Sequence, residues 1–455
     1  MIPAAVIAAN RFGLGARPGE LAAIGSDPRG WLKAQISSAN AIPASIAAQP
    51  GTEARLAELP PATMGADGQP QKDLIQAVLK LARDRYPVDA AAALDAAMTS
   101  QTSFVERLVA FWSNHFTVSA LRPAVAGLIG PFQAEAIRPH LFGRFVDLLK
   151  AATLHPAMLL YLDNAVSFGP DSRAGQRRDK GLNENLAREL MELHTLGVNG
   201  GYTQNDVREL AKILTGWTIH RPGQPERAIA AERGGAVFIP FIHEPGQKTL
   251  LGKTYGDAGQ NEAEEVLEDL ARHPSTARFI ATKLARHFIA DDPPSSAVAT
   301  LAETFTKTDG DLAAVTTRLI DLDEAWGGDG KYRAPYDWVV AIFRAFGAGD
   351  NSGGDQKGHS AVQVLDHLGQ RPFFAPSPAG WPDDAASWLA PESLLARIDY
   401  AQAVGKARAE TDPMKIVDGT VGPAISAESR FSVEHAPSRP EAIALLLVSP
   451  EFLRR

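Results

Sequence analysis

The sequence predicts an all-α fold: a multi-helix globular body with one small β-hairpin or loop insertion around residues 236–252. Apolar side chains recur at helical intervals along most of the 455 residues. That periodicity fails between Ile219 and Gly259, where Gly, Pro and short apolar runs are typical of a β element. Hydrophobic residues make up 45% of the chain and charged residues 22%, which excludes general disorder because a core can form.

Composition divides the chain into three segments. Residues 1–36 are predicted to be an N-terminal helical segment, in which Asp27 caps a helix that begins at Pro28. Residues 37–75 are rich in Ala, Pro, Gly and Gln, which predicts a surface excursion or linker. Residues 76–455 are predicted to form the main helical domain.

A helical hairpin at residues 183–217 is predicted to lie at the centre of the main domain. Asn183 can cap the first helix of this hairpin. Thr203 and Asp206 have the spacing of a capping box for the second helix, although the acid is one methylene shorter than the usual Glu. A β-like insertion at residues 219–259 follows the hairpin.

Charge and cysteine content exclude several classes of function. The 45 Lys and Arg residues against 53 Asp and Glu give a net charge of −8, which argues against a nucleic-acid partner. With no cysteine, the chain has no disulfide, catalytic thiolate, zinc–thiolate or iron–sulfur site. No haem or nucleotide motif is present either, and no established metal-ligand spacing such as HExxH occurs. The cofactor therefore stays unknown, and whether a metal binds stays open.

The first residues do not have the pattern of a signal peptide, so we assign the compartment by default. No basic residue precedes the apolar run Ala4–Ala9, and this run is shorter than the apolar core of a signal peptide. No stretch reaches the roughly 18 apolar residues of a membrane span. We therefore expect a cytoplasmic protein without a membrane span, and leave open its export together with a partner.

The first helix of the central hairpin carries a charged stripe. Glu184, Arg188 and Glu192 follow one another at intervals of four residues, and Glu189 lies beside them. An arginine between carboxylates lowers their pKa values and could position a catalytic acid or bind a cation. The alternative is a structural ladder of ion pairs that joins this helix to its neighbours.

A histidine on the apolar side of a helix is the next candidate. His115 lies in the segment FWSNHF and must find a hydrogen-bond partner, because an unpaired buried polar group costs about 1–3 kcal/mol. With Glu189 or Glu192 it would form an acid–base pair if the two helices touch. The alternative is a buried histidine with a purely structural hydrogen bond.

Two further groups of residues could bind an anion. His243, Glu244 and Lys248 lie in the glycine-containing loop HEPGQKTLLG, where backbone N–H groups could assist the lysine. The alternative for this loop is a tight turn whose charged residues face water. Sites concentrate in irregular backbone of this kind, which favours His243 as a catalytic candidate and the other two as ligand-binding candidates.

A basic band follows Pro274. Its members are Arg278, Lys283 and Arg286, together with His273 and His287. The band could bind an anionic ligand, for which Arg278 and Arg286 are the candidates, or it could be the solvated face of a helix.

Several segments resemble a known bacterial family, domain of unknown function 1800. They are NRFGLGARPGE, FWSNHF, HPAMLLYLDN, NENLARELMELHTLGVNGGYTQNDVRELAKILTGW, HEPGQKTLLG, HPSTARFIATKLARHF and PAGWP, which together span Asn10 to Phe452. The resemblance implies a mostly helical fold and brings no established activity. It also implies a possible companion protein, because members are often encoded beside the sulfatase-like domain of unknown function 1501. The family loop usually reads His-Asp, whereas this chain has His243-Glu244.

Two hypotheses of function follow. The first is an enzyme, hydrolytic or group-transferring, whose pocket gathers His115, the stripe from Glu184 to Glu192, His243 and Lys248. The second is a non-catalytic helical partner or escort of the companion protein, with the proline-rich segment GQRPFFAPSPAGWP as its interaction surface. The enzyme hypothesis requires these separate parts of the sequence to converge in the fold.

Overall fold

The chain folds as a mainly α-helical protein, which confirms the predicted fold class. The structure is a computed structural model, and it describes residues 2–37, 42–60, 72–178, 181–220, 231–347 and 356–455. Parts of the predicted linker (38–41 and 61–71) and of the predicted insertion (221–230) lie outside the described residues.

The described helices follow one another through the chain with short connections. Up to the central hairpin, the α-helices are Ala4–Ile7, Glu20–Ile24, Pro28–Ser37, Ala44–Ala47, Thr52–Ala57, Lys72–Thr99, Ser103–His115, Pro123–Ala126, Ile129–Pro131, Phe145–Thr153, Pro156–Tyr161, Gly175–Arg178, Asn185–Glu189 and Gln204–Leu214. After the β elements, they are Gln260–Arg272, Pro274–Phe288, Ser295–Lys307, Leu312–Asp321, Pro335–Ala345, Gln356–His367, Pro391–Ala407, Pro413–Thr420, Ala427–Glu434 and Arg439–Leu447.

Short 3₁₀ segments, which are wound more tightly than an α-helix, and π-helical segments, which are wound more widely, lie between these helices. The π-helical segments are Ala8–Phe12, Phe132–Ile137 and Leu190–His194. The 3₁₀ segments are Arg138–His140, Asn164–Val166, Pro240–Ile242, Asp323–Trp326, Ala386–Trp388 and Gly422–Ala424. None of the helices in the described part of the chain combines the length and the apolar character that crossing a bilayer would demand.

Helix starts agree with the capping chemistry of the sequence. Asp27 accepts a hydrogen bond from the Gly30 N–H at 2.9 Å, at the start of helix Pro28–Ser37. In the central hairpin, Thr203 and Asp206 form both bonds of the capping box. The Thr203 N–H donates to Asp206 Oδ2 at 2.7 Å, so the shorter acid still reaches.

The β structure consists of two small sheets rather than the one predicted hairpin. Strands Trp217–Ile219, Ala231–Arg233 and Ala236–Phe238 form an antiparallel sheet with the third strand in the middle. Strands Lys248–Leu250 and Lys253–Tyr255 form a separate antiparallel hairpin. Pro240 follows the end of the central strand and begins a 3₁₀ turn, which separates the apolar run into two units.

The described parts of the predicted linker are held against the core. They contain helices Ala44–Ala47 and Thr52–Ala57, and the long helix already begins at Lys72. Arg55 is buried and its guanidinium bonds to both oxygens of buried Asp89, at 2.6 and 2.8 Å. This pair attaches the segment to the long helix.

Two clusters of buried apolar side chains form the core. The first extends from Ile7 to Ala325 and contains Leu186, Leu190, Leu210 and Leu214 of the central hairpin. The second consists mainly of residues from Trp338 to Phe452, with Leu94 and its neighbours added from the long helix. Charged side chains gather at the boundary between these two clusters.

Candidate functional site

A cavity of about 570 Å³ lies where the two core clusters meet. Its apolar lining takes Phe111 and Val118 from the first cluster and Leu94 from the second. Helices Ser103–His115 and Pro274–Phe288 contribute polar groups to the wall. The volume is in the range of small-molecule sites, about 300–1,000 Å³, and such sites often lie between packed units.

The proline-rich strap, which we define as residues 370–384, forms one wall of this cavity. Asn114 holds the strap in both directions, since its Nδ2 donates to the Trp381 carbonyl at 3.0 Å and its Oδ1 accepts from the Trp381 N–H at 2.7 Å. Gly380 permits this close approach, because a Cβ there would lie 2.6 Å from the Asn114 carbonyl oxygen. The strap thereby carries Asp383 to the cavity.

A histidine and an aspartate from distant parts of the sequence meet in the wall. His287, in the last turn of helix Pro274–Phe288, has its Nδ1 2.6 Å from Asp383 Oδ2. Because the carboxylate accepts, Nδ1 carries the proton and Nε2 has the free lone pair. Nε2 has no hydrogen-bond partner among the residues that the structure describes. Burial lowers the pKa of His287 to about 4, so the ring is neutral at pH 7.

Other cations surround Asp383. Lys331 Nζ lies 3.0 Å from Asp383 Oδ1, and Arg455 Nη2 lies 3.3 Å from the same oxygen. Burial raises the pKa of Asp383, but His287, Arg455 and Lys331 together hold it well below its usual range. Asp337 bonds to Arg107 at 3.1 Å and to Arg455 at 3.0 Å. The aspartates Asp383 and Asp337 are therefore fixed in their ionised form.

Lys283 lines the same cavity and makes no ion pair within the described residues. Its side chain contacts the Phe279 ring, whose centroid lies 5.6 Å from Nζ. Burial lowers the pKa of Lys283 to about 8, and neighbouring Arg286 lowers it further against the opposing effect of Asp383. An amine with this pKa changes its charge in the range where many enzymes work.

His115 also lines the cavity, but its partner differs from the one expected. Its Nε2 donates to the backbone carbonyl of His194 at 3.1 Å, and not to Glu189 or Glu192. The π-helical turn Leu190–His194 presents this carbonyl at the end of the hairpin helix. Burial lowers the pKa of His115 well below its usual value, and Nδ1 has no hydrogen-bond partner in the described part of the chain.

The predicted charged stripe lies away from the cavity, since none of its members lines the wall. Arg188 bonds to Glu184 at 3.0 Å and lies 3.9 Å from Glu192. Gln204, at the start of the next helix, donates to Glu184 at 2.7 Å. These side chains are partly exposed, and burial raises the pKa of Glu189. Their geometry is that of a ladder between the two hairpin helices.

His243 and Lys248 form a second buried group together with Glu262, which we call the buried clasp. Lys248 Nζ lies 2.8 Å from Glu262 Oε2 and donates to the Glu244 carbonyl at 2.6 Å. His243 Nε2 lies 3.3 Å from Glu262 Oε1, and its Nδ1 bonds to the Thr215 carbonyl at 2.7 Å. His243, Glu244 and Lys248 are all buried, so the charged residues of the loop do not face water as the alternative interpretation held.

The side chain of Glu244 takes no part in the buried clasp. Its Oε2 accepts from the Asp171 N–H at 2.8 Å, and burial raises its pKa. The pKa of Glu262 moves the opposite way: burial raises it, but hydrogen bonds with His243 and Lys248 outweigh burial and hold it below its usual value. The clasp is therefore an internally neutralised group.

One group in the described part of the chain has ligand atoms close enough to share a metal ion. It consists of His243, Asp257 and Glu262, with those atoms within 4.8 Å of one another. The ammonium of Lys248 already neutralises Glu262, and Glu262 Oε1 accepts from the Ala258 and Gly259 N–H groups. The donor set therefore fits a cation poorly.

The basic band divides between solvent and cavity. Arg278 is exposed and does not line the cavity, whereas Arg286, Lys283 and His287 do. Asp383 and Arg455 did not enter the sequence-based candidates at all. A local signal did exist for Asp383, because acidic residues follow the rigid segment PAGWP directly.

The structure is that of a mainly α-helical protein with an internal cavity whose wall carries charged side chains. The chain matches the model of the family described as protein of unknown function (DUF1800) over residues 7–454, and it belongs to that family. Comparisons with curated proteins and with solved structures give no match.

Proposed function

We propose that the protein is a hydrolytic enzyme whose active site is the 570 Å³ cavity. The observation that supports this most is the His287–Asp383 pair, at 2.6 Å, in which Nε2 of the histidine has no partner within the described ranges of the chain. A carboxylate that fixes the Nδ1–H tautomer leaves Nε2 as a base, which is how histidine acts in many hydrolases.

In the proposed reaction, His287 Nε2 accepts a proton from water while the water oxygen bonds to the electrophilic centre of the substrate. Asp383 stabilises the imidazolium that forms, through the 2.6 Å bond to Nδ1. The Lys283 ammonium stabilises the negative charge that develops on the substrate. The bond to the leaving group then breaks, and the imidazolium returns its proton to that group.

The other sequence-based candidates support this proposal less well. The stripe at Glu184 and Arg188 is partly exposed and lies outside the cavity wall. In the buried clasp, His243 and Lys248 have their polar atoms committed to Glu262, Thr215 and Glu244. The roles that the sequence suggested for His243 and Lys248 therefore pass to His287 and Lys283.

The test is the substitution His287→Gln, assayed on 4-nitrophenyl acetate, 4-nitrophenyl phosphate and 4-nitrophenyl sulfate. We expect hydrolysis of the accepted ester to fall about 100-fold, since general base catalysis contributes on the order of 10²–10⁴. Activity of the unmodified enzyme should fall below pH 4, where His287 is protonated, and above pH 8, where Lys283 loses its charge. The control is Arg278→Gln, on the same helix but outside the cavity. An unchanged rate in His287→Gln would contradict the proposal.

A second candidate is a partner or escort of the sulfatase-like companion, domain of unknown function 1501. Exposed apolar side chains on the C-terminal helices favour it, since Leu395 and Phe431 are each 61% exposed. The proline-rich strap offers less support, because it forms a wall of the cavity. Co-purification of the two proteins, compared between the natural chain and Leu395→Ser, tests this candidate. The enzyme proposal includes a cytoplasmic location. The escort proposal instead includes export of the protein in a complex with its companion.

A further inference from the structure

The carboxylates in the cavity wall are already engaged. Asp383 and Asp337 bond to the cations described above, and Asp291 Oδ1 lies 3.0 Å from Lys331. Asp384 accepts from the N–H and the hydroxyl of Ser387, at 2.9 and 3.1 Å. None of these four acids is within ion-pair distance of Lys283 or Arg286 in the described part of the chain.

Two cations in the wall therefore lack a carboxylate partner. Lys283 and Arg286 are three residues apart on helix Pro274–Phe288, which places them on one face. Arg286 donates from Nε to the backbone carbonyl of Asp291 at 3.2 Å, and Lys283 contacts the Phe279 ring. Arg286 is exposed and Lys283 partly buried, so the pair extends from solvent into the cavity. Two neighbouring cations with no counter-ion repel each other, and an anion between them would remove that cost.

Apolar and aromatic side chains make up much of the remaining wall of the cavity, beside polar ones such as Thr117 and Gln133. Phe111, Phe373 and Trp381 come from three different segments of the chain. Ala90, Ala110 and Ala375 leave room beside these rings. A ligand that fits this lining has an apolar or aromatic body of small-molecule size.

We propose that Lys283 and Arg286 form an oxyanion subsite, and that the cavity binds small organic anions with an apolar or aromatic body. The inference deepens the proposed function and rests on it for the identity of the reacting end of the ligand. Carboxylate, phosphate and sulfate groups share the chemistry that two adjacent cations recognise. The experiment separates these three sources.

Isothermal titration calorimetry of the full chain at pH 7 tests the subsite with benzoate, phenyl phosphate and phenyl sulfate. Benzamide and benzyl alcohol serve as neutral probes of the same size. We expect at least one anion to bind and the neutral probes to bind on the order of tenfold or more weakly. Lys283→Met and Arg286→Gln should each weaken anion binding on the order of tenfold. Arg278→Gln, on the same helix and exposed, should leave the affinity unchanged.

A second measurement does not depend on the folding of any variant. The affinity of the natural chain for the anion should fall as the pH rises through about 8, because Lys283 then loses its charge. The inference is overturned if no anion binds, if the neutral probes bind equally well, or if Arg278→Gln weakens binding as much as Lys283→Met does.

Failure of the inference and failure of the proposed function give different results. His287→Gln should keep anion binding, since His287 is not part of the proposed subsite. If anions bind as predicted but His287→Gln hydrolyses the ester at the normal rate, the subsite stands and the catalytic proposal falls. If hydrolysis depends on His287 but Lys283→Met binds the anions normally, the catalytic proposal stands and the subsite falls.

Discussion

The cavity wall and the buried clasp contain the same types of residue in different arrangements. Each has a histidine, a lysine and a carboxylate. Those of the clasp come from three different elements, whereas in the cavity His287 and Lys283 share helix Pro274–Phe288. In the clasp, Lys248 pairs with Glu262 at 2.8 Å. In the cavity, Lys283 makes no ion pair in the part of the chain that the structure describes, and His287 has an unpartnered nitrogen. The difference indicates that residue type alone does not distinguish the two groups, whereas unused bonding capacity beside a cavity does.

The largest expected effect concerns the clasp. Glu262→Ala should lower the free energy of unfolding by about 3–5 kcal/mol, because it leaves the Lys248 charge buried without a partner. The matched control is Glu265→Ala on the same helix, whose side chain is 51% exposed and which should cost less than about 1 kcal/mol. Urea unfolding measures both. Equal losses would remove the structural role that distinguishes the clasp from the cavity.

The second-largest effect is the loss of stability at low pH that results from the cavity histidine, His287. The pKa of His287 is lowered from 6.5 to about 4, so between these values the unfolded chain binds a proton that the folded chain does not. Stability should therefore fall as the pH falls from 6.5 to 4, with His287 contributing up to about 3 kcal/mol.

The variant His287→Gln isolates this contribution. Its loss of stability between pH 7 and pH 4.5 should be smaller than that of the natural chain, as measured by urea unfolding at both pH values. His115 and His194 are also buried with lowered pKa values, and they remain in both proteins. Identical losses in the two proteins would show that His287 is not held neutral by the fold.

The smallest effect is expected at the charged stripe. Arg188→Ala should lower the free energy of unfolding by less than about 1 kcal/mol, because Arg188 and its partners are partly exposed. Hydrolysis of the ester used for His287 should not change. A large loss of activity without a loss of stability would move the catalytic centre from the cavity to the hairpin.

The fold could be predicted because its signals are local. The capping box of Thr203 and Asp206 and the cap at Asp27 depend on residues three apart, and the structure contains both. The β region was harder to predict, because the strand Ala236–Phe238 pairs with Trp217–Ile219 across a long separation. Short apolar runs carry no information about such pairing.

The cavity could be predicted only in part, since its groups come together over long distances in the sequence. His115 and Arg286 were candidates and line the wall. His287 belonged to the predicted basic band. Its partner Asp383 is 96 residues away, so no sequence pattern around His287 indicates that the two residues pair. The expected convergence of His115, the stripe and the loop at Lys248 is absent from the cavity wall, which contains only the first of these.

The two hydrogen bonds between Asn114 and Trp381 help to hold Asp383 at the cavity wall. A segment with four prolines explores few conformations even when the chain is unfolded. Little entropy is therefore lost when it settles beside helix Ser103–His115. An irregular piece of backbone can in this way hold a carboxylate as steadily as a helix would, while Phe373 and Trp381 on the same segment line the cavity.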